Sequence, residues 1–510
     1  MHTHNQMNYG SINQTPIDDY ATHWPITKVT KKFVSLSIPY SATRLLDVAS
    51  EITGSVLFAK LGGQYLAACG LIIPMQRFLT STVTSFLFSM GTLLRENKND
   101  PIKIGQITRD GILISLIVSV PPLMLAAGIE PLLHAIGMNY EVSKIVGNFY
   151  LVALPSISLS AIQSALQQFT LGIERPNISL FFNTINNLII IGGGTILTLG
   201  LFGAPKMDER GLGIAYSSAY GLTTLGTLFY LCLHPSFKQY NLASRLCYQA
   251  NNFLKDIFKL GYPLGIQVAS DYLMRYALAV MIGWRSTSEL AMARIIEMIY
   301  VPVFTVILRS PQITCNLTKD ALKCNNLTLM KQITGVNIGT LLLLTGIWAA
   351  TAIFSAKPII GLFLDTNEPV NQLSIKTAEQ LMWIYPLGLA AETARYAFTG
   401  SLRGLKDTTT SMWNSLGLLI VIGIPLLYLG YHFGLNTSEL YAISTAIFAL
   451  AALSLGIQWG IKIENKPSNC FTSLWNTCKS WTPSLFQRQN TVNFLAEEVK
   501  EEHNKQTLNV

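Results

Sequence analysis

The sequence predicts an all-α integral membrane protein with twelve transmembrane helices in two pseudo-symmetric six-helix lobes. Three observations carry this prediction. Half of the 510 residues are apolar and only 13% are charged, roughly half the charged share of a soluble domain; mean hydropathy is +0.37. Apolar runs of about 20 residues, enough to cross roughly 30 Å of hydrocarbon, recur along the chain. Finally, the second half repeats the first. Ile38-Pro39, Asp47 and Leu66-Ala67 return as Tyr262-Pro263, Asp271 and Leu290-Ala291 at an offset of 224 residues, and Leu154-Pro155 and Asn183 return as Tyr385-Pro386 and Asn414 at 231. Duplicated helix bundles that face each other place a solute path between the repeats.

The first lobe is predicted over 33–233. Its first run, 33–59, follows Lys28, Lys31 and Lys32 and stops at Lys60-Leu-Gly62. The second, 66–94, stops at Arg95, and the third, 111–128, lies between Arg109 and Glu130-Pro131. The fourth, 147–171, contains Pro155 and ends before Arg175-Pro176. The fifth, 178–202, holds Gly192-Gly193-Gly194; with no following Lys-Ser/Thr this is no phosphate loop, and close packing or a kink explains it. The sixth, 211–233, starts after Arg210.

The second lobe is predicted over 258–462, with runs at 258–284, 290–314, 333–356, 380–402, 412–432 and 438–462. Arg285, Lys331, Lys357, Lys376, Arg403 and Lys406 punctuate them. A polar tail (1–32), an inter-lobe linker (234–257) and a second tail (463–510), with Cys470, Cys478 and the acidic stretch Glu497–Glu502, complete the chain. The first tail has no apolar core and no cleavage pattern, which argues against a removed signal peptide.

The net charge of +8 reads as topology rather than nucleic-acid binding. Lys and Arg crowd one set of connections (Lys28 to Lys32, Arg95 to Arg109, Arg175, Lys238 to Lys259, Arg309 to Lys331, Arg403, Lys406) and are sparse on the other. Excess positive charge stays cytoplasmic, so both termini are expected there.

Ionisable residues inside apolar runs each cost several kcal/mol unless paired or facing water. The first run holds Arg44, Asp47 and Glu51, and the second Arg77. The seventh holds Asp271 and Arg275, the eighth Arg294 and Glu297, the tenth Glu392 and Arg395. On each acid-bearing helix a spacing of three or four residues puts an arginine within reach of a carboxylate, and Asp47 and Glu51 share a face. Two readings follow: self-neutralising pairs that lower the cost of burial and lock the bundle, or acids that line an aqueous cavity, where a moving guanidinium would switch a carboxylate between binding and releasing a proton. Asn183, Asn186 and Asn187 offer neutral oxygens to a hard cation or hydrogen bonds between helices. Tyr272, Tyr276, Trp383 and Tyr385 offer ring faces to an organic cation, or packing.

These residues carry a resemblance. Leu260-Gly-Tyr-Pro263 with Asp271 eight residues on, and Gly400-Ser-Leu-Arg-Gly-Leu-Lys-Asp-Thr408 with Glu392 eight residues before it, are similar to motifs of helices 7 and 10 in the multidrug and toxin extrusion (MATE) family, in its NorM-like bacterial branch. Lys60-Leu-Gly62, Glu130-Pro-Leu-Leu-His134, Tyr150-Leu151 and Phe202-Gly-Ala-Pro205 match more weakly but in order, over roughly 33–462. The resemblance implies a V-shaped pair of lobes in the bacterial inner membrane. It also implies export of organic cations in exchange for H⁺ or Na⁺ by rocking of the lobes. Departures are present: the family's helix 1 Asp falls at Gly54, with Glu51 and Asp47 one and two turns earlier, and a frequent Gln is Arg294.

The reading is a monomeric multidrug antiporter contacting small-molecule substrates and membrane lipids, with no nucleic acid and no cofactor beyond the coupling ion. Asp271, Glu392, Asp47 and Glu51 couple the cation, and a Na⁺ would sit at Asp271 and Glu392. Asn183, Asn187, Arg44, Arg275, Arg294, Arg395, Tyr272 and Tyr276 line the substrate cavity. A flippase for an anionic lipid-linked precursor, held by arginine forks, is the alternative, and a membrane receptor or scaffold a third. No nucleophile–base pair, nucleotide loop or metal cluster appears, so no enzyme is expected.

Overall fold

The computed structural model describes residues 24–242, 253–324, 326–354 and 372–464, without the side chains of 38–45, 323, 372–376 and 464. Most of the terminal tails, the linker over 243–252, Cys470, Cys478 and the Glu497–Glu502 stretch lie outside the described residues, as does the Arg44 side chain.

Among the described residues, twelve long helices follow in order: α1 (Ile26–Leu61), α2 (Gly63–Glu96), α3 (Pro101–Ala127), α4 (Tyr140–Gly172), α5 (Pro176–Leu199), α6 (Asp208–Leu233), α7 (Phe253–Arg285), α8 (Thr287–Lys323), α9 (Leu327–Phe354), α10 (Gln372–Gly404), α11 (Thr409–His432) and α12 (Thr437–Glu464). Each predicted run falls on one of them. A short helix, Ile129–Ala135, links α3 to α4, and Leu416–Gly423 inside α11 is wound as a π-helix. The compact unit ending at Gly456 holds both halves; from Ile457 a separate unit is described only to Glu464, the last turns of α12.

Local chemistry sets the helix ends. Asp100 caps α3 by accepting from the Ile102 and Lys103 N–H groups, each at 3.1 Å, with Pro101 at the first position, where its missing donor costs nothing. Asn139 caps α4, and Ser286 caps α8. The α1–α2 junction is a single residue, Gly62, at φ 133°, a conformation that side chains avoid.

Burial follows the repeat. The apolar cores of α2 and α8, which are repeat mates, are 72% and 78% buried. The mates α3 and α9 are only 33% and 28% buried, and α5 and α11 only 22% and 33%. Thus α2 and α8 form the centre, and the other two pairs present most of their apolar surface outward, as helices against lipid do. Among the described residues, eight helices are apolar enough to cross a membrane on length and composition; α1, α6, α7 and α10 are not among them. Three of those four, α1, α7 and α10, carry the acids Asp47, Glu51, Asp271 and Glu392.

Packing across the halves explains a motif glycine. A methyl group on Gly261 would meet the Phe86 carbonyl oxygen of α2 at 2.6 Å and its ring at 2.8 Å. Gly261→Ala is therefore expected to destabilise the protein by about 1–3 kcal/mol, read as a lower thermal midpoint in detergent; an unchanged midpoint would show that α2 and α7 have slack there. Gly400 plays the same part between α10 and α8, where a Cβ would lie 2.7 Å from Pro311 Cα. In the Gly192-Gly193-Gly194 run only Gly194 packs tightly, 2.9 Å from Leu212, and α5 continues through it without a break.

Candidate functional site

The buried charges pair between helices. Arg395 of α10 donates to Asp271 of α7 at 2.8 Å, and Arg275 of α7 donates to Glu392 of α10. Each helix thus gives its base to the other's acid. The expected same-helix pairs, Asp271 with Arg275 and Glu392 with Arg395, are not the ones formed: the long guanidinium arms reach across the gap, so the two pairs tie α7 to α10. Tyr396 adds its hydroxyl to Asp271 at 3.2 Å, and Arg395 also reaches Ser415 of α11 at 3.3 Å, one residue before the π-helical stretch. Arg275 lies 4.4 Å over the Phe304 ring and Arg395 4.5 Å over Tyr396, contacts that favour a desolvated cation.

Asp271 and Glu392 are only 2% and 1% exposed. The expectation that they line an open aqueous cavity is therefore corrected: in this conformation each is sealed beneath a guanidinium. Charge neutrality makes such burial tolerable, since an isolated ion would be far more costly.

The first half is built differently. Asp47 accepts from the side-chain amides of Asn187 at 2.8 Å and Asn183 at 3.2 Å, both on α5. Asn187 in turn accepts from Ser50, and its amide also donates to the Asn183 carbonyl. The asparagines predicted as oxygen ligands turn their amide nitrogens to the acid instead. Asn186 keeps to the helix-bridging alternative, accepting from Thr223 at 3.3 Å.

Glu51, one turn beyond Asp47, receives two guanidiniums. Arg77 of α2 binds one oxygen, and Arg294 of α8 binds the other at 2.7 Å. Arg294 is 2% exposed and also donates to Ser55 of α1 at 3.0 Å and to Glu297 at 3.3 Å. The last is a same-helix pair of the expected kind. Arg77 lies 5.7 Å over Phe304, the ring that Arg275 covers. Glu51, Arg77, Phe304, Arg275 and Glu392 therefore form one chain of contacts from the first half to the second.

Tyr272 and Tyr276, predicted to line the cavity, are buried at 5% and 8% and belong to packed α7. Tyr385 stacks on Tyr300, whose hydroxyl donates to the Met382 carbonyl at 3.0 Å. Trp383 is exposed. Sequence reasoning missed Ser55, Tyr396 and Ser415 as partners of the charges, and Ser50 as a donor to Asn187. Their only signal is position, one turn or less from a charged residue on the same helix or on a neighbour that the sequence does not reveal.

Comparison with known proteins places this geometry. Residues 39–195 match the MatE family model. A relative from Synechocystis, "Probable multidrug resistance protein NorM", is 25% identical over 452 residues, which span 86% of this chain and 96% of that protein. Over most of its length the chain is similar to NorM-like members of the MATE family. A Pseudomonas putida protein with the same description is 24% identical over 86% of this chain and 96% of its own length. Among solved structures, an inward-facing multidrug resistance MATE family transporter aligns with a TM-score of 0.69 at 16% identity, covering 83% of this chain and 95% of that one. The twelve helices thus have the MATE fold of two lobes, that of a multi-pass membrane protein, and the relatives and structural neighbours are transporters rather than enzymes.

Proposed function

We propose that this MATE protein is a secondary antiporter that exports amphiphilic organic cations in exchange for H⁺ or Na⁺ by alternating access, working as a monomer in the bacterial inner membrane with both termini cytoplasmic. The observation that carries the reading is the near full-length match to NorM-described relatives on a chain whose central helices keep four acids, Asp47, Glu51, Asp271 and Glu392, inside the apolar zone. Closed carboxylate–guanidinium pairs supply the physical requirement for exchange. A cation gains a site only when an arginine swings off its acid, so binding and conformational change are linked.

A second reading rests on which partner faces outward. The Arg77 side chain is 22% exposed against 12% for Glu51, and Arg275 is 15% exposed against 2% for Glu392. Guanidiniums flanking Phe304 suit an anionic headgroup, as a lipid-precursor flippase requires.

Ethidium efflux from energised vesicles, with H⁺ and Na⁺ gradients imposed separately, tests the first reading. Efflux driven by either gradient is the expected result, and the effective gradient names the coupling ion. No efflux with either gradient, together with arrest of lipid-linked precursor movement in Arg77→Gln and Arg275→Gln, would transfer the assignment to the second.

A further inference from the structure

We infer that Arg294 is a tethered cation that occupies a cation site at Glu51, closing the two halves onto each other until a mobile organic cation replaces it. This deepens the antiport reading and rests on it for the identity of the mobile cation. The geometry is specific. Arg294 comes from α8 in the second half, yet its partners Glu51, at 2.7 Å, and Ser55, at 3.0 Å, belong to α1 in the first. It is therefore a charged tie across the plane at which alternating access must separate the halves.

Arg77, from α2, already neutralises the other oxygen of Glu51. Glu51 consequently keeps a counter-charge when Arg294 leaves, and Arg294 keeps Glu297 on its own helix at 3.3 Å. Neither charge is stranded by the exchange, so the tie opens without the penalty of a lone buried ion. An incoming monovalent cation that takes the vacated oxygen leaves the halves joined by one charged bond fewer. Ser55 marks the resting position, since it also receives the Cys69 thiol at 3.6 Å and so fixes the pocket wall between α1 and α2.

A tethered competitor makes a prediction opposite to that of a structural prop. Purified full-length protein is titrated with ethidium in the absence of any gradient, and genetically encoded spin labels at Gln64 and Ser288, one on each half, report their separation. Arg294→Gln should tighten ethidium binding about tenfold, the yield of one charge-assisted hydrogen bond, and broaden the label distances. Arg294→Lys should restore both readouts towards wild type, and Glu51→Gln should broaden the distances while weakening binding. If Arg294→Gln fails to fold, Arg294→Gln/Glu297→Gln, which preserves net charge, takes its place.

Unchanged distances in Arg294→Gln, or binding weakened to the level of Glu51→Gln, overturn the inference. Should wild type bind no ethidium, the distances alone decide the tie. Tighter binding and broader distances without gradient-driven efflux would retain the tie and remove the antiport reading.

Discussion

Asp271→Asn and Glu392→Gln should each abolish gradient-driven ethidium efflux and also destabilise the protein by about 3–5 kcal/mol, because each strands a buried guanidinium. Arg395 has Asp271 as its carboxylate at 2.8 Å, and Arg275 has Glu392. The two consequences separate in the doubles. Asp271→Asn/Arg395→Gln and Glu392→Gln/Arg275→Gln remove each pair whole, so most of the thermal stability returns while efflux stays absent. Full efflux in a folded single variant would exclude that acid from coupling. Recovery of efflux in a double would reduce the pair to a structural tie.

Asp47→Asn should show the reverse balance. Its carboxylate accepts from two neutral amides, Asn187 at 2.8 Å and Asn183 at 3.2 Å, and an amide oxygen in the same place accepts the same bonds. Those two bonds should therefore contribute only about 1 kcal/mol to the change in stability. Losing the charge removes what attracts a cation, and ion-driven efflux should fall roughly 10- to 100-fold, the effect of one charge-assisted interaction of about 1.5–3 kcal/mol. The measurement is initial efflux rate against gradient size in vesicles, with the thermal midpoint taken on the same preparation. A wild-type rate would place coupling elsewhere.

The fold was legible because a membrane reduces its sequence code to length and apolarity. The run at 66–94 became α2 almost residue for residue, and the repeat mates Pro155 and Pro386 lie inside α4 and α10 as their spacing requires. The π-helical turns at 416–423 left no mark, since an apolar run reads alike whether its ladder closes at four residues or five. The charged residues were legible as a group but not as pairs. Spacing along one helix is visible in a sequence, and for Arg294 with Glu297 it sufficed. The bonds from Arg395 to Asp271 and from Arg294 to Glu51 span 124 and 243 residues. They depend on how helices are juxtaposed, which periodicity does not encode. Exposure was misjudged for the same reason: a carboxylate was expected in water, and an arginine from a distant helix took the water's place.

The reciprocal exchange between α7 and α10 has a consequence for biogenesis. From Leu260 to Trp284, α7 carries one acid and one base a helical turn apart, and between Leu381 and Leu402 so does α10. A newly made helix that enters the bilayer alone is thus electroneutral, with its own arginine in range of its own carboxylate. Each segment carries no net charge as it enters the bilayer, and the trade of partners requires the two helices to meet. Insertion and assembly are thereby uncoupled, so a charge lost from either helix burdens its own entry into the membrane before it burdens the finished transporter.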